Sequence, residues 1–364
     1  MIFALPRIRW TPLKMLCLCL LFLNIVGLLS LFSSLHQGGE FRGHEVFLKQ
    51  ISWLAISWGL LVLFSFINYR IYHDFAFILY LLNIALLITV IVAGKKAMGA
   101  QRWLSVGGIT FQPSELAKAV TILLLARCFT AAKHSVFSRS FLFPLGLVAL
   151  NALLIFKQPD LGTALILLLL FLLMGFASPV KKKYFIILLL IGLLSVPFAW
   201  GMLKDYQQKR LIVFLDPNVD PLGAGYTIIQ SKVAIGSGQF TGKGFLSGTQ
   251  NQFNFLPERH TDFIFTVVAE EWGFLGALLL LFVYWLILRK LLEIAHTTKD
   301  PYAYMVVAGI ASLFFLHVFI NIGMTCGILP VVGLPLFFMS YGGSHLVVSS
   351  ILTGIAFNIW RRTS

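Results

Sequence analysis

Apolar runs about twenty residues long recur from one end of the chain to the other, separated by short polar breaks. A helix rises about 1.5 Å per residue, so a run of about 20 crosses the ~30 Å hydrocarbon core of a bilayer. Ten such runs are predicted, near 15–34, 46–67, 74–93, 114–132, 140–157, 160–178, 184–203, 263–288, 303–324 and 340–360. The fourth is the weakest because it opens on polar residues. The pattern predicts an all-α polytopic membrane protein, one integral-membrane domain over residues 1–364, with a large extracytoplasmic loop between spans seven and eight. The first run, Met15–Phe32, lacks a small-x-small cleavage site and precedes many further spans, so it reads as a mature helix and not as a signal peptide.

The connection 204–262 is too long for a simple link between neighbouring helices. Tyr226–Ile235 has the pattern of an amphipathic helix, and Phe240, Phe245, Phe253 and Phe255 supply anchors for a membrane interface. The segment is expected to be a folded cap over the bundle. Its glycine run, Gly236 to Gly244, invites comparison with a phosphate loop, but Ser237 and Gly244 stand where a Walker A loop needs Gly and Ser or Thr. Two readings stay open: tight turns at the membrane surface, or backbone N–H groups that touch a lipid pyrophosphate.

Composition agrees with the pattern. With 59% hydrophobic and 12% charged residues, no wettable surface of ordinary size is available. The net charge of +14 follows from topology. An inside N-terminus places Arg7, Arg9, Lys14, Arg70, Lys133, Arg139, Lys181, Lys182, Lys183, Arg289, Lys290, Lys299, Arg361 and Arg362 in the cytoplasm, the face that short basic loops prefer. Both termini are then cytoplasmic in a protein of the inner membrane. Attraction to anionic lipid headgroups accounts for the basicity without a nucleic-acid partner. Cys17, Cys19, Cys128 and Cys326 lie in or beside apolar runs without metal spacing and read as small core residues.

The same topology gathers the loops 94–113, 158–160, 204–262 and 325–339 on the outer face, where three polar clusters fall. The first holds Lys95, Lys96, Arg102, Trp103, Glu115 and Lys118. Glu115 and Lys118, three apart, share a helical face and form either an architectural ion pair or part of a site. Lys95, Lys96 and Arg102 are basic residues on the face usually depleted in them, which an outer anion would explain.

The second cluster is Glu258, Arg259, His260 and Asp262 at the mouth of span eight, with Glu270 and Glu271 further along, expected to face the bundle or an aqueous cavity. Charge at membrane depth costs about 2.5–3.5 kcal/mol per group and so tends to mark a site. Asp262 is the best candidate for a general base; as an alternative, it caps the helix. His260 beside Asp262 makes a weak metal pair, and no metal site is assigned. The third cluster, Asn321–Pro335 followed by Ser340–Ser344, breaks helix regularity with glycine and proline and is expected to line the same cavity.

Taken together, GAQRWLSVGGITFQPSELAK, QPDLGTA, FLPERHTDFIF with EEWG, and NIGMTCGILPVVGLP with SYGGS resemble the SEDS family of bacterial cell-wall proteins over nearly the whole chain. GKGFLSGTQNQFNFLPERHTDF is more similar to the elongation branch than to the division branch. His345 after SYGGS, and Phe337-Phe338-Met339 before it, depart from the smaller or aliphatic residues usual in relatives. The resemblance implies a peptidoglycan glycosyltransferase that polymerises lipid II at the outer face, taking the growing glycan from undecaprenyl pyrophosphate, without a nucleotide. It implies Asp262 as the catalytic residue and Lys118, Glu115, Arg102 and Trp103 as substrate-binding residues, with Arg259 and His260 beside them. It also implies a class B penicillin-binding protein transpeptidase as partner. A lipid II flippase would need charged sites along a path between both faces, and a noncatalytic scaffold leaves Asp262, Lys118 and Arg102 without a purpose.

Overall fold

The computed structural model describes residues 11–37, 40–41, 43–97, 100–106, 109–131, 137–202, 205–253 and 255–363. Arg7, Arg9 and Lys133, counted above among the inner-face basic residues, lie outside them, as does the side chain of Lys96.

Each of the ten predicted runs is a helix: α1 Pro12–Leu35, α2 His44–Phe66, α3 Tyr69–Ala93, α4 Pro113–Ala131, α5 Phe143–Lys157, α6 Leu161–Ala177 and α7 Lys182–Ala199, then Ile264–Thr297, Pro301–Thr325 and Gly343–Thr363. Between the seventh and eighth lie three more helices, α8 Asp205–Leu215, α9 Ala224–Ser237 and α10 Thr249–Gln252, so the last three runs become α11, α12 and α13. Seven of the described helices are long and apolar enough to cross a membrane, namely α1, α2, α3, α5 with its preceding turn, α11, α12 and α13. At Leu161–Ala177, α6 is apolar but shorter, and α4 opens on the polar residues that made its run the weakest.

The helix starts follow local chemistry. Asn68, Asp160 and Asp300 each accept a backbone N–H of the first turn, from Arg70, Thr163 and Tyr302 respectively. α12 and α13 are largely buried, whereas α2 and α3 turn most of their surface outward. A bundle in lipid needs no polar exterior, and Leu81, Leu82, Val92, Leu194 and Phe198 stand exposed. At one end, Asn358 accepts from the Tyr69 backbone and donates to Ser65, and the Tyr69 hydroxyl donates to Asp300. At the other end the loops 94–113, 158–160, 204–262 and 325–339 meet.

There, three antiparallel strands β1 Lys95–Ala97, β2 Ala100–Val106 and β3 Ile109–Phe111 lead into α4. α9 packs along α11 and ties to α12 through Ser231, whose hydroxyl donates to the Thr325 carbonyl at 2.5 Å. Gly273, at φ +64°, breaks the α11 backbone. The broken ladder is re-satisfied by the glycine-rich loop: the backbone N–H groups of Lys243 and Gly244 donate to the Glu270 and Glu271 carbonyls, and those of Phe274 and Leu275 donate to Gln239 and Phe240. A Cβ on Gly242 would stand 2.1 Å from the Glu271 carbonyl oxygen, so the approach requires glycine. These glycines therefore serve a turn packed on α11. Glu270 accepts from Lys243 Nζ at 2.8 Å, Thr249 Oγ1 at 3.1 Å and the Gln250 backbone at 3.1 Å, while Glu271 accepts from Ser33. Both buried carboxylates thus anchor the loop and α1 to α11.

Candidate active site

A cavity of about 640 Å³ opens where those loops meet. Its walls come from β2 and the start of α4 (Arg102, Trp103, Gln112, Glu115), the α5–α6 turn (Pro159, Asp160), α8 (Arg210), the turn before α11 (Glu258, Thr261, Asp262), and the α12–α13 connection (Gly333 to Pro335, Tyr341 to His345).

Asp262 occupies the turn before α11 and leaves capping to Phe263, which makes no side-chain cap bond. The capping alternative is thereby overturned: the carboxylate faces the cavity. The turn is clamped at three successive backbone carbonyls. Asn321 Nδ2 donates to the Asp262 carbonyl at 2.8 Å and to the Leu334 carbonyl at 2.7 Å, Ser340 Oγ donates to the Thr261 carbonyl at 2.6 Å, and the Tyr341 N–H donates to the His260 carbonyl at 2.9 Å. Burial, reinforced by the Glu258 carboxylate, pushes the Asp262 pKa up to about 7, against the pull of Arg210 and Arg102. Such a carboxylate is poised to accept a proton near neutral pH.

Arg102 is held by the α5–α6 turn: Nε donates to the Gln158 carbonyl at 3.2 Å, Nη2 donates to the Pro159 carbonyl, and Nη1 lies 3.8 Å from Asp160 Oδ1. Arg210 Nη1 donates to the Val331 carbonyl at 3.3 Å. Two guanidiniums in one cavity suit a phosphate-bearing ligand.

The predicted site residues divide. Asp262, Arg102, Trp103 and Glu115 line the cavity. Lys118 stands behind Glu115, fully buried, and bonds it at 2.7 Å. Arg259 turns the other way, its Nε donating to the Ser34 carbonyl of α1 at 2.8 Å. His260 packs against Tyr341, and burial holds its pKa below the ordinary value. Lys95 is exposed and absent from the lining. Tyr341 lines the cavity, as expected of the third cluster, and His345 beside it does too; Asp160 and Gln112 join them from QPDLGTA and QPSELAK, and Arg210 joins them from a segment without a motif. Among the described residues, no group of three or more His, Cys, Asp or Glu is placed to hold a metal ion.

A helical bundle with a charged cavity at one end, lined by Arg102 and Arg210 together with Glu115, Asp160, Glu258 and Asp262, defines a polytopic membrane protein with a polar site. Residues 13–364 match the profile of the FtsW/RodA/SpoVE cell cycle proteins, and the chain belongs to that family. Similar curated proteins include peptidoglycan glycosyltransferase MrdB of Escherichia coli strain K12, 42% identical over 85% of this chain and 84% of its own, and peptidoglycan glycosyltransferase RodA of Treponema pallidum, 32% identical over 95% and 96%. Among solved structures, a chain of a peptidoglycan synthase complex that coordinates polymerization and crosslinking is 31% identical, with TM-score 0.81 over 96% of this chain and 97% of that one. RodA of Thermus thermophilus is 27% identical, with TM-score 0.72 over 96% of both chains. The chain is accordingly a multi-pass membrane enzyme of the peptidoglycan glycosyltransferase class.

Proposed function

We propose that this chain polymerises lipid II into glycan strands at the outer face of the cytoplasmic membrane, during cell elongation, with Asp262 as general base. The observation that carries the reading is the meeting of Asp262 with Arg102 and Arg210 in one cavity. Asp262 takes the proton of the acceptor 4-hydroxyl as that oxygen attacks the anomeric carbon of the donor. The new carbon–oxygen bond forms as the bond to undecaprenyl pyrophosphate breaks, which inverts the configuration. Arg102 and Arg210 offset the charge that develops on the departing pyrophosphate. Trp103 offers a face for sugar or lipid. Glu115 and Lys118 shape the wall behind, and Arg259 and His260 hold the turn that presents Asp262.

In this reading residues 204–262 are an extracytoplasmic cap, the termini are cytoplasmic, and a class B penicillin-binding protein transpeptidase crosslinks the product. The likeness to a chain from a polymerization and crosslinking complex supports that partner. The test is conversion of labelled lipid II by the purified chain with its transpeptidase. Glycan polymer is expected; folded, lipid-II-binding protein that makes none overturns the reading.

A further inference from the structure

One wall of the cavity holds polar side chains that are unequally satisfied. Lys118 Nζ donates to Glu115 Oε1 at 2.7 Å and meets His317 Nε2 at 3.0 Å, while His317 Nδ1 lies 3.0 Å from the Pro335 carbonyl. A carbonyl only accepts, so His317 carries its proton on Nδ1 and presents the Nε2 lone pair to the ammonium. That half of the cluster is complete.

Glu115 Oε2 and both ring nitrogens of His345 have no hydrogen-bond partner among the described residues, and both residues line the cavity. His345 is only 5% exposed; the Ser340 and Tyr341 carbonyls lie near its ring but outside hydrogen-bond geometry. Packing holds the imidazole instead. Its plane is 12° from that of Phe337, which stacks on His317 at 3.8 Å, and its edge faces Gly342, where a Cβ would stand 2.8 Å from Cδ2. Buried polar atoms left unpaired in a native fold ask for an explanation, and here both nitrogens of a ring fixed by packing are buried and unpaired, with Nε2 beside the cavity-lining Gly342, where a Cβ would stand 2.9 Å from it.

The pattern of donors and acceptors selects the ligand. A neutral imidazole offers one donor and one acceptor, and Glu115 Oε2 adds an acceptor. Pyrophosphate only accepts, so it would use one of the three and be repelled by the carboxylate. A hydroxyl or an amide uses both kinds. Arg102 and Arg210 leave the cationic part of the same cavity to the phosphates.

We propose that His345 is a positioning residue which, with Glu115, holds a hydroxyl or acetamido group of the substrate's sugar and so sets the sugar relative to Asp262. This rests on the glycosyltransferase reading above. The experiment compares wild type, His345→Phe, which keeps a flat ring without nitrogens, and His345→Gln, which restores a donor and an acceptor. Binding of lipid II and of undecaprenyl pyrophosphate is measured, together with KM and kcat for polymerisation.

The phenylalanine variant is expected to bind lipid II about tenfold more weakly, as for loss of one hydrogen-bonded group, with KM raised alike. Undecaprenyl pyrophosphate binding stays unchanged, and the glutamine variant recovers most of the lipid II affinity. Unchanged lipid II binding, or equal loss of both ligands, overturns the proposal. His345→Leu replaces the phenylalanine variant if that one does not fold. Wild type that binds lipid II without polymerising it counts against the glycosyltransferase reading, while the paired binding data still decide the sugar contact.

Discussion

A Cβ placed on Gly333 would stand 3.2 Å from Asp262 Oδ2, and Gly333 itself sits at φ +72°. Backbone freedom and close approach to the carboxylate thus coincide at one glycine, and Asn321 staples the two segments together through the Asp262 and Leu334 carbonyls. Gly333→Ala must adopt a left-handed conformation that costs about 1–2 kcal/mol, or else shift the segment that faces Asp262. Because small misplacements of reacting groups are expensive, kcat is expected to fall about tenfold or more while the thermal midpoint drops only modestly. Steady-state kinetics beside a melting curve checks this, and an unchanged kcat would detach Gly333 from the site.

The Asp262 pKa, about 7, makes a prediction about pH. A general base acts in its ionised form, so kcat/KM should rise as pH passes upward through about 7 and level off above. Stability moves the other way. Between the unfolded value near about 4 and the folded value, the folded state keeps a proton that the unfolded chain has lost, so stability from this group falls as pH rises across that window. Asp262→Asn should therefore melt higher than wild type at pH about 8 and match it near pH about 4. A melting difference independent of pH would refute the shift.

Lys118 and Glu115 form a pair buried on both sides, at 0% and 5% side-chain exposure. Removal of one partner strands the other charge, at a cost of about 3–5 kcal/mol, whereas removal of both is far milder. Lys118→Met is expected to lower the melting midpoint sharply, and Lys118→Met with Glu115→Gln to recover most of it. If the double variant melts as low as the single one, the pair is not the source of the loss.

Helix positions were legible because a 20-residue apolar run has few alternatives in a membrane, and the weak fourth run owes its polar start to Ser114, Glu115 and Lys118, of which Glu115 lines the cavity. Within the long connection one helix was legible, since the Tyr226–Ile235 pattern lies within α9. Asp262 stood out because charge is scarce there. Side-chain direction was not legible. Arg259 and Asp262 are three residues apart in one turn, yet one bonds α1 and the other faces the cavity. Asp160 and Arg210 reach the site from separate elements, and His317 sits alone in an apolar run where it resembles an ordinary core residue. Only the packing of α12 against α4 brings it to Lys118. Glu270 and Glu271, expected to face the bundle or a cavity, are buried and anchor neighbouring segments, because the kink at Gly273 exposes a backbone ladder that the glycine-rich loop must satisfy.

The measurement closest to the central claim is lipid II polymerisation by Asp262→Asn, with lipid II binding and transpeptidase association measured on the same preparation. Loss of a general base typically removes about 10²–10⁴ of the rate, so polymerisation should fall by at least about a hundredfold with binding and association retained. Polymerisation at the wild-type rate by the folded variant would remove Asp262 from the chemistry.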